Sequence, residues 1–596
     1  MERLKLVPGA EAGSDHRNKV NWLTTILAEC DILKTCSEHS IQKHNRFSRE
    51  TENIVDPTRK LWIGKASVCI WNFSPFPAKE MRTSCRDHSK PSTGLCKVTT
   101  LPNGIRIASE NTPGHFSAVG VYVDAGSRYE TAATRGVSHI LDRLAFKSTT
   151  NRSADQVVAE LESLGGNIMC SSSRESIMYQ SAIFSQDLSR ILSLFSDVIC
   201  HPTINDAEVE EQRLTALYEI KEIWSKPEMI LPEILHTVAY KGNTLGNPLL
   251  CPPENLESMT PELIRSYMKT WYRPERMVIS ACGAEHEEFV DLVVKYFGDL
   301  PKSPESLDSV MTHIEALKKQ NEQAKHTGSE NSKSFVKSLF NSSKKQQHQQ
   351  DDLSPFEIAT QPARYTGGTS FMETGPESPL THVYVAFEGL SIDDPDIYAL
   401  TTLQILLGGG GSFSAGGPGK GMYSRLFTHV LNQHYWVESC QAFNHCYTDS
   451  GLFGIAGSCQ PQYANALLEV ICRELDSVAR GDVGQLAVTN TELNRAKNQL
   501  KSSLLMNLES RMVQLEDLGR QIQVHGKKTG IDEMLENIDK VDVNELRRVA
   551  SRVVRGAVSV TSGGSGKPTV VAQGNLQGLR DVNKKIEKYG LGSGSN

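Results

Sequence analysis

The chain has 596 residues, 39% of them hydrophobic and 22% charged, and carries a net charge of −7. That length exceeds a single hydrophobic core and, at about 150 residues per domain, argues for two to four domains. No stretch of about 18 consecutive apolar residues occurs, so nothing reads as a membrane span. The 13 cysteines include no Cys-x-x-Cys pair, which excludes a zinc ribbon or thioredoxin-type motif and indicates reduced thiols.

Charge is unevenly placed. Residues 1–96 hold 15 Lys and Arg against 11 Asp and Glu, which leaves the other 500 residues at −11. An acidic body speaks against nucleic acid as a partner and suits basic peptides. The same 96 residues contain five of the cysteines and little periodicity, so they read as a poorly ordered N-terminal extension. Organelle-targeting segments are amphipathic, rich in Arg and Ser and poor in acids. Glu2, Glu11 and Asp15 depart from that pattern, and no cleavage site is apparent.

Residues 97–301 form the first patterned region. Strands are predicted over Gly104–Glu110 and Ser117–Gly126, then a helix over Thr134–Lys147 with Val137, Ile140, Leu141 and Leu144 on one face. Ser153 and Gln156 fit a capping box for a helix that ends at Leu164, before Gly165 and Gly166. Strands Asn167–Ser172 and Ser176–Phe184 follow, then helices Gln186–Ile199 and Asp206–Trp224. The remainder, to about Leu300, reads as helical with a closing strand near Met277–Cys282.

The Thr134–Lys147 helix carries His139, Asp142 and Arg143, with His139 and Arg143 spaced i, i+4 on one face. The inverted zinc-peptidase motif, His-x-x-Glu-His, places two imidazoles and a general base in this spacing and takes a further acidic ligand from a later helix. Here Arg143 stands where the second His would be, Asp142 where the Glu would be, and Glu219 is the candidate later acid. Arginine is cationic and offers no lone pair, so metal binding is expected to fail. The sharper expectation is that the Arg143 guanidinium takes the metal's place and pairs with Asp142 or Glu219. The plainer reading leaves His139 as a helix-surface histidine.

Residues 302–360 read as a linker or insertion: the stretch to 352 is dominated by Ser, Gln, Lys and Glu, including Lys344–Gln350. The region 361–596 then repeats the first. Strand Thr381–Gly389, helix Pro395–Leu407, strands Tyr435–Asn444 and Gly451–Gln460, and helices Gln462–Val478 and Glu492–Leu508 recur in the same order. Local phrases correspond as well, with Glu175–Tyr179 echoed by Asp449–Phe453. The expected fold class is therefore α/β (α+β), as two homologous halves facing one another across a cleft.

Between the helical pattern ending at Leu407 and the periodic segment Tyr423–Leu431 lies Gly408, Gly409, Gly410, Gly411, Ser412, Phe413, Ser414, Ala415, Gly416, Gly417, Pro418, Gly419, Lys420 and Gly421. Glycine in such density opposes regular structure entropically. A phosphate-binding loop would need Ser or Thr after Lys420 and Gly at position 414, and this tract has Gly421 and Ser414. A plain linker seldom sits between two patterned segments inside a domain. Contact with an extended peptide is the favoured reading.

These features together resemble the alpha subunits of the mitochondrial processing peptidase, within the pitrilysin-like metallopeptidases (family M16). The likeness rests on Gly408–Leu426 followed by Thr428–Gln433, on Ile223–His236, Thr244–Leu250 and Arg495–Ser510, and spans about residues 100–590. The resemblance implies two pitrilysin-like αβ-roll halves and a heterodimer whose zinc lies in the beta subunit, with no cofactor in this chain. It implies a non-catalytic subunit of a zinc metalloendopeptidase whose glycine loop recognises basic presequence peptides in the mitochondrial matrix. It leaves one alternative open, a core subunit of the cytochrome bc1 complex (respiratory chain complex III) on the matrix side of the inner membrane, structural or combined with processing, which would add that complex's subunits as partners. An autonomous metallopeptidase is disfavoured by Arg143.

Overall fold

The computed structural model describes residues 96–241, 244–301, 359–375, 377–412, 422–480 and 487–592. The N-terminal extension, nearly all of the linker and residues 413–421 of the glycine tract lie outside the described residues.

The ordered chain forms two six-stranded mixed sheets. The first is built from β1 (Lys97–Thr100), β2 (Arg106–Glu110), β3 (Phe116–Val123), β4 (Asn167–Ser172), β5 (Ile177–Phe184) and β6 (Met277–Cys282), in the order β1-β2-β6-β3-β5-β4. The second contains β7 (Gly368–Glu373), β8 (Thr381–Gly389), β9 (Gly409–Gly411), β10 (Val437–Cys446), β11 (Gly451–Cys459) and β12 (Thr569–Gly574), in the order β7-β12-β8-β11-β10-β9. In each sheet one parallel pair, β2 with β6 and β7 with β12, is followed by three antiparallel pairings in matching sequence. The duplication read from the sequence is thus a duplication of strand order. The sheets differ at their edges, where β1 is added to the first and β9 to the second.

Local signals set the element ends. Ser153 and Gln156 form the expected capping box, and Gly165 closes the Ala154–Leu164 helix in the left-handed conformation. Thr489 and Glu492 make a second capping box at the start of the Asn490–Leu508 helix. Asn205 caps the Asp206–Trp224 helix by accepting from the Glu208 N–H.

The halves are joined by an exchange of helices. Pro227–Ala239, from the first half, packs on β12, β7 and β8, while Arg511–His525, from the second, packs on β3 and β6. Strand β3 is consequently buried along nearly its whole length, with Leu188–Cys200 on its other face. The approach is close at Gly519, where a Cβ would come within 2.1 Å of the Tyr122 ring. The Tyr122 hydroxyl donates to the Leu515 carbonyl at 3.0 Å. Across the same junction Tyr240 donates to the Gly451 carbonyl at 2.7 Å, and Lys528 meets Glu110 at 2.6 Å.

The two duplicated phrases also meet. Arg128 lies between them, 2.5 Å from Glu175 and 2.7 Å from Asp449, with only 7% of its side chain exposed. Burial opposes its charge, and the two carboxylates more than restore it, holding its pKa above the ordinary value. All nine cysteines among the described residues are free thiols. No helix among those residues is long and apolar enough to cross a membrane.

Candidate functional site

The helix carrying the degenerate motif is Val137–Leu144, shorter at both ends than its apolar pattern suggested. The buried Glu130 carboxylate holds its N-terminus, accepting from the Gly136 N–H at 2.8 Å, the Ser138 N–H at 2.8 Å and the Ser138 hydroxyl at 2.7 Å. Burial pushes the Glu130 pKa up to about 7 against the pull of those bonds.

His139 is fully buried and is no surface histidine. Its Nδ1 accepts from the Cys251 N–H at 3.2 Å, so in the neutral ring the proton resides on Nε2. That Nε2 lies 3.3 Å from Glu219 Oε2. The Arg143 Nε lies 3.3 Å from the same oxygen, whereas Arg143 reaches Asp142 only at 3.8 Å. Asp142 is directed elsewhere, its Oδ2 accepting from the Ser172 N–H at 3.0 Å and the Ser172 hydroxyl at 3.2 Å, at the end of edge strand β4. Burial raises the Glu219 pKa, and the contact with His139 and the charge of Arg143 outweigh it, leaving the carboxyl below its ordinary range.

These residues do not fit zinc. A catalytic zinc site takes three protein ligands around an open position. Here His139 and Glu219 face one another, and a guanidinium stands beside the carboxylate. Among the described residues no group of three or more His, Cys, Asp or Glu side chains could hold a metal ion. The arrangement is a buried His–Glu–Arg cluster in which Arg143 supplies positive charge next to Glu219. Of the two pairings expected from the sequence, the structure favours Glu219.

The glycine tract begins as an ordered element. Gly409, Gly410 and Gly411 form edge strand β9, paired antiparallel with Gln441, Cys440 and Ser439. Gly409 has φ +97°, and a Cβ there would sit 2.0 Å from the Cys440 carbonyl oxygen, so only glycine brings this backbone to the sheet. Ser412 continues the pairing, its N–H donating to the Glu438 carbonyl at 2.6 Å. The Gly409 N–H donates to Ser424 Oγ at 3.0 Å, which ties the two stems of the tract together. The neighbouring Arg425 is buried and pairs with Glu492 at 3.3 Å. Past the tract, the periodic segment Tyr423–Leu431 is regular only as a short π-helix over Phe427–Leu431.

The two candidate features are built on different sheets: the motif helix packs against β4 of the first, and the described stem of the tract is an edge strand of the second. Each belongs to the helix that follows the corresponding central strand of its half, β3 or β8: Val137–Leu144 bears the degenerate motif, and the tract leaves the end of Ile397–Leu407. Sequence reading missed Glu130, whose carboxylate holds the start of the motif helix, and three further participants. These are Cys251, Ser172 and Ser424, which act through a backbone N–H or a hydroxyl that no motif marks.

Comparisons with known proteins agree with this layout. Residues 106–253 match the family "Insulinase (Peptidase family M16)", and residues 258–500 match "Peptidase M16 inactive domain". A mitochondrial-processing peptidase subunit alpha from Neurospora crassa is 50% identical, over 90% of this chain and 96% of that protein. Two solved structures share the fold at 18% identity. A protease from Helicobacter pylori has a TM-score of 0.63, with 81% of this chain and 100% of that chain covered. A chain of complex III2 from Candida albicans has a TM-score of 0.61, with 83% and 99% covered. The chain belongs to peptidase family M16, among the mitochondrial-processing peptidase alpha subunits.

Proposed function

We propose that this chain is the non-catalytic, substrate-recognising subunit of a mitochondrial processing peptidase, working in the matrix and presenting basic presequences to a zinc-bearing beta subunit. The observation that carries the reading is Arg143 Nε at 3.3 Å from Glu219 Oε2, a cation where the motif would place a metal-binding imidazole. Without a metal-activated water this chain has no evident means of hydrolysing a peptide bond, so cleavage falls to the partner.

The tract from Gly408 to Gly421 supplies the second part of the role. Its described stem is backbone-rich and lies at a sheet edge, where main-chain groups can meet peptides of differing sequence. The cost is the ordering entropy of a glycine-rich segment. The alternative of a complex III core subunit has the shared fold behind it, at 18% identity. A purely structural core has no use for the tract.

The test is cleavage of a fluorogenic presequence peptide by this chain alone, by a competent beta subunit alone and by the two mixed. Activity confined to the mixture is expected. Cleavage by this chain alone overturns the Arg143 argument. A mixture that behaves like the beta subunit alone overturns the presenting role. The tract is tested by deleting residues 413–417, which spares β9. Peptide affinity should fall while the heterodimer persists.

A further inference from the structure

The register of β9 against β10 fixes where the glycine tract leaves the sheet. Gly409, Gly410 and Gly411 oppose Gln441, Cys440 and Ser439, and Ser412 bonds to Glu438, so the described stem runs toward the N-terminal end of β10. Immediately before that end lie His434, Tyr435 and Trp436. Trp436 stacks on Tyr463 with ring centroids 5.1 Å apart and planes inclined by 19°. Tyr435 meets Tyr463 edge-on at 6.4 Å, and their hydroxyls are 3.3 Å apart. His434 packs on Trp436 at 5.0 Å.

This aromatic shelf faces solvent. Tyr435 is 85% exposed, the most exposed large hydrophobic side chain among the described residues. Its hydroxyl contact with Tyr463 and the stacking beneath it hold the shelf in place, so little ordering is required before something lands on it. Tyrosine and tryptophan in this state are the residue types that anchor interfaces. An acid stands beside them. A β-bulge between Val437 and Ser439 places Glu438 at the break in register, and its side chain is exposed. The other charges nearby are Arg473 and Glu474, 3.5 Å apart, with Glu474 fully buried and also facing His429 at 3.2 Å. Arg473 pairs with the buried Glu474, and Glu438 is an exposed acid beside the aromatic side chains.

We propose that Tyr435, Trp436 and Tyr463 form a docking shelf for the apolar face of a basic amphipathic peptide, with Glu438 meeting one of its cations. The assignment rests on the presequence-presenting role proposed above and gives that role a fixed anchor beside the glycine tract. Basic amphipathic segments carry the two properties the shelf complements, an apolar stripe and guanidinium groups that also stack on aromatic faces. Glu438 carries the exposed acid and, through its carbonyl, the bond to Ser412, so the shelf adjoins the described stem of the tract.

The test uses the heterodimer of the full chain with its beta subunit, with cleavage blocked by zinc chelation, and a fluorescently labelled basic amphipathic peptide of about 20 residues, long enough for a helix. Tyr435→Ala and Glu438→Gln are each expected to weaken binding, by about tenfold and about threefold respectively. Tyr435→Phe should retain most of the affinity. Peptide addition should change the tryptophan fluorescence of the wild type, and Trp436→Phe should abolish that change. Because Tyr435 and Glu438 are exposed, unchanged thermal melts are expected and check that each variant is folded.

Affinities within about twofold of wild type for both Tyr435→Ala and Glu438→Gln overturn the shelf. If deletion of residues 413–417 still weakens binding, only the shelf fails. If that deletion is silent too, the presenting role fails with it. Altered self-association of Tyr435→Ala, with peptide affinity intact, also overturns the proposal and assigns the shelf to contact between copies of this chain.

Discussion

Replacing Arg143 by methionine tests the buried cluster directly. The side chains of Arg143 and Glu219 are 12% and 4% exposed and 3.3 Å apart. At an effective dielectric of about 20, their attraction is roughly 5 kcal/mol before desolvation is counted. Removing one partner of a buried pair leaves an uncompensated charge and costs about 3–5 kcal/mol. Protonation limits that loss. Neutralising a carboxylate of ordinary pKa near 4.3 costs about 4 kcal/mol at about pH 7.5 and about 2 at about pH 5.5. The sign follows from linkage. In the wild type, Glu219 lies below its ordinary range, so its contribution is present above the unfolded pKa and lost only as pH falls through the folded one. In the variant the folded pKa rises above the unfolded value, so the destabilisation grows with pH over the neutral range. Urea denaturation at the two pH values should give a loss of about 3–4 kcal/mol at the higher and about 1–2 at the lower. Adding Glu219→Gln should recover most of it. A loss below about 1 kcal/mol at the higher pH, or one equal at both, refutes the charge argument.

Arg143→His combined with Asp142→Glu supplies a second imidazole and a longer carboxylate beside His139 and Glu219; competition with a chromophoric chelator should detect zinc binding in this variant and none in the wild type. Glu130→Gln would turn an amide donor toward the Gly136 or Ser138 N–H, and each mismatched buried bond costs about 1–3 kcal/mol, measurable as a lowered melting temperature. Gly409→Ala, with φ +97° and a 2.0 Å approach to the Cys440 carbonyl, should release β9 and accelerate amide exchange in residues 409–412. Gly410→Ala meets no atom within 4 Å but is strained by its φ of +158°, so it should accelerate that exchange less than Gly409→Ala does.

Much of this fold was legible because its signals are local. Asp206–Trp224, Thr381–Gly389 and Asn167–Ser172 are observed with their predicted ends, since a cap or a change of hydrophobic period marks each boundary. The elements not anticipated depend on distant chain. Strand β12 is completed by β7 and β8, about 180 or more residues earlier, and β9 is three glycines whose extended form exists only against β10. The helix exchange was equally invisible, because an amphipathic pattern states that a helix buries a face without naming the sheet that receives it. At the site, the residue types announced that the zinc motif was broken. That Arg143 turns to Glu219 rather than Asp142 required Ser172, which occupies Asp142 from a strand 30 residues away.

The duplication lets the two features be compared position by position. In each half a strand buried in the middle of the sheet leads into a helix, Val137–Leu144 after β3 and Ile397–Leu407 after β8. In the first half that helix carries polar side chains inward, and a guanidinium balances the buried carboxylate. In the second the helix buries Thr401, Thr402 and Gln404 but no charged side chain, and the distinctive chemistry moves past its end into the glycine tract. The outer edge of β4 has no neighbouring strand among the described residues, while its counterpart β10 is covered by β9. The stem of the tract therefore occupies in the second half the position that an added strand would take in the first. That occupancy explains why position 409 must be glycine: with a Cβ there the backbone could not close on Cys440, and β10 would present a bare edge where the chain instead presents the stem of the tract.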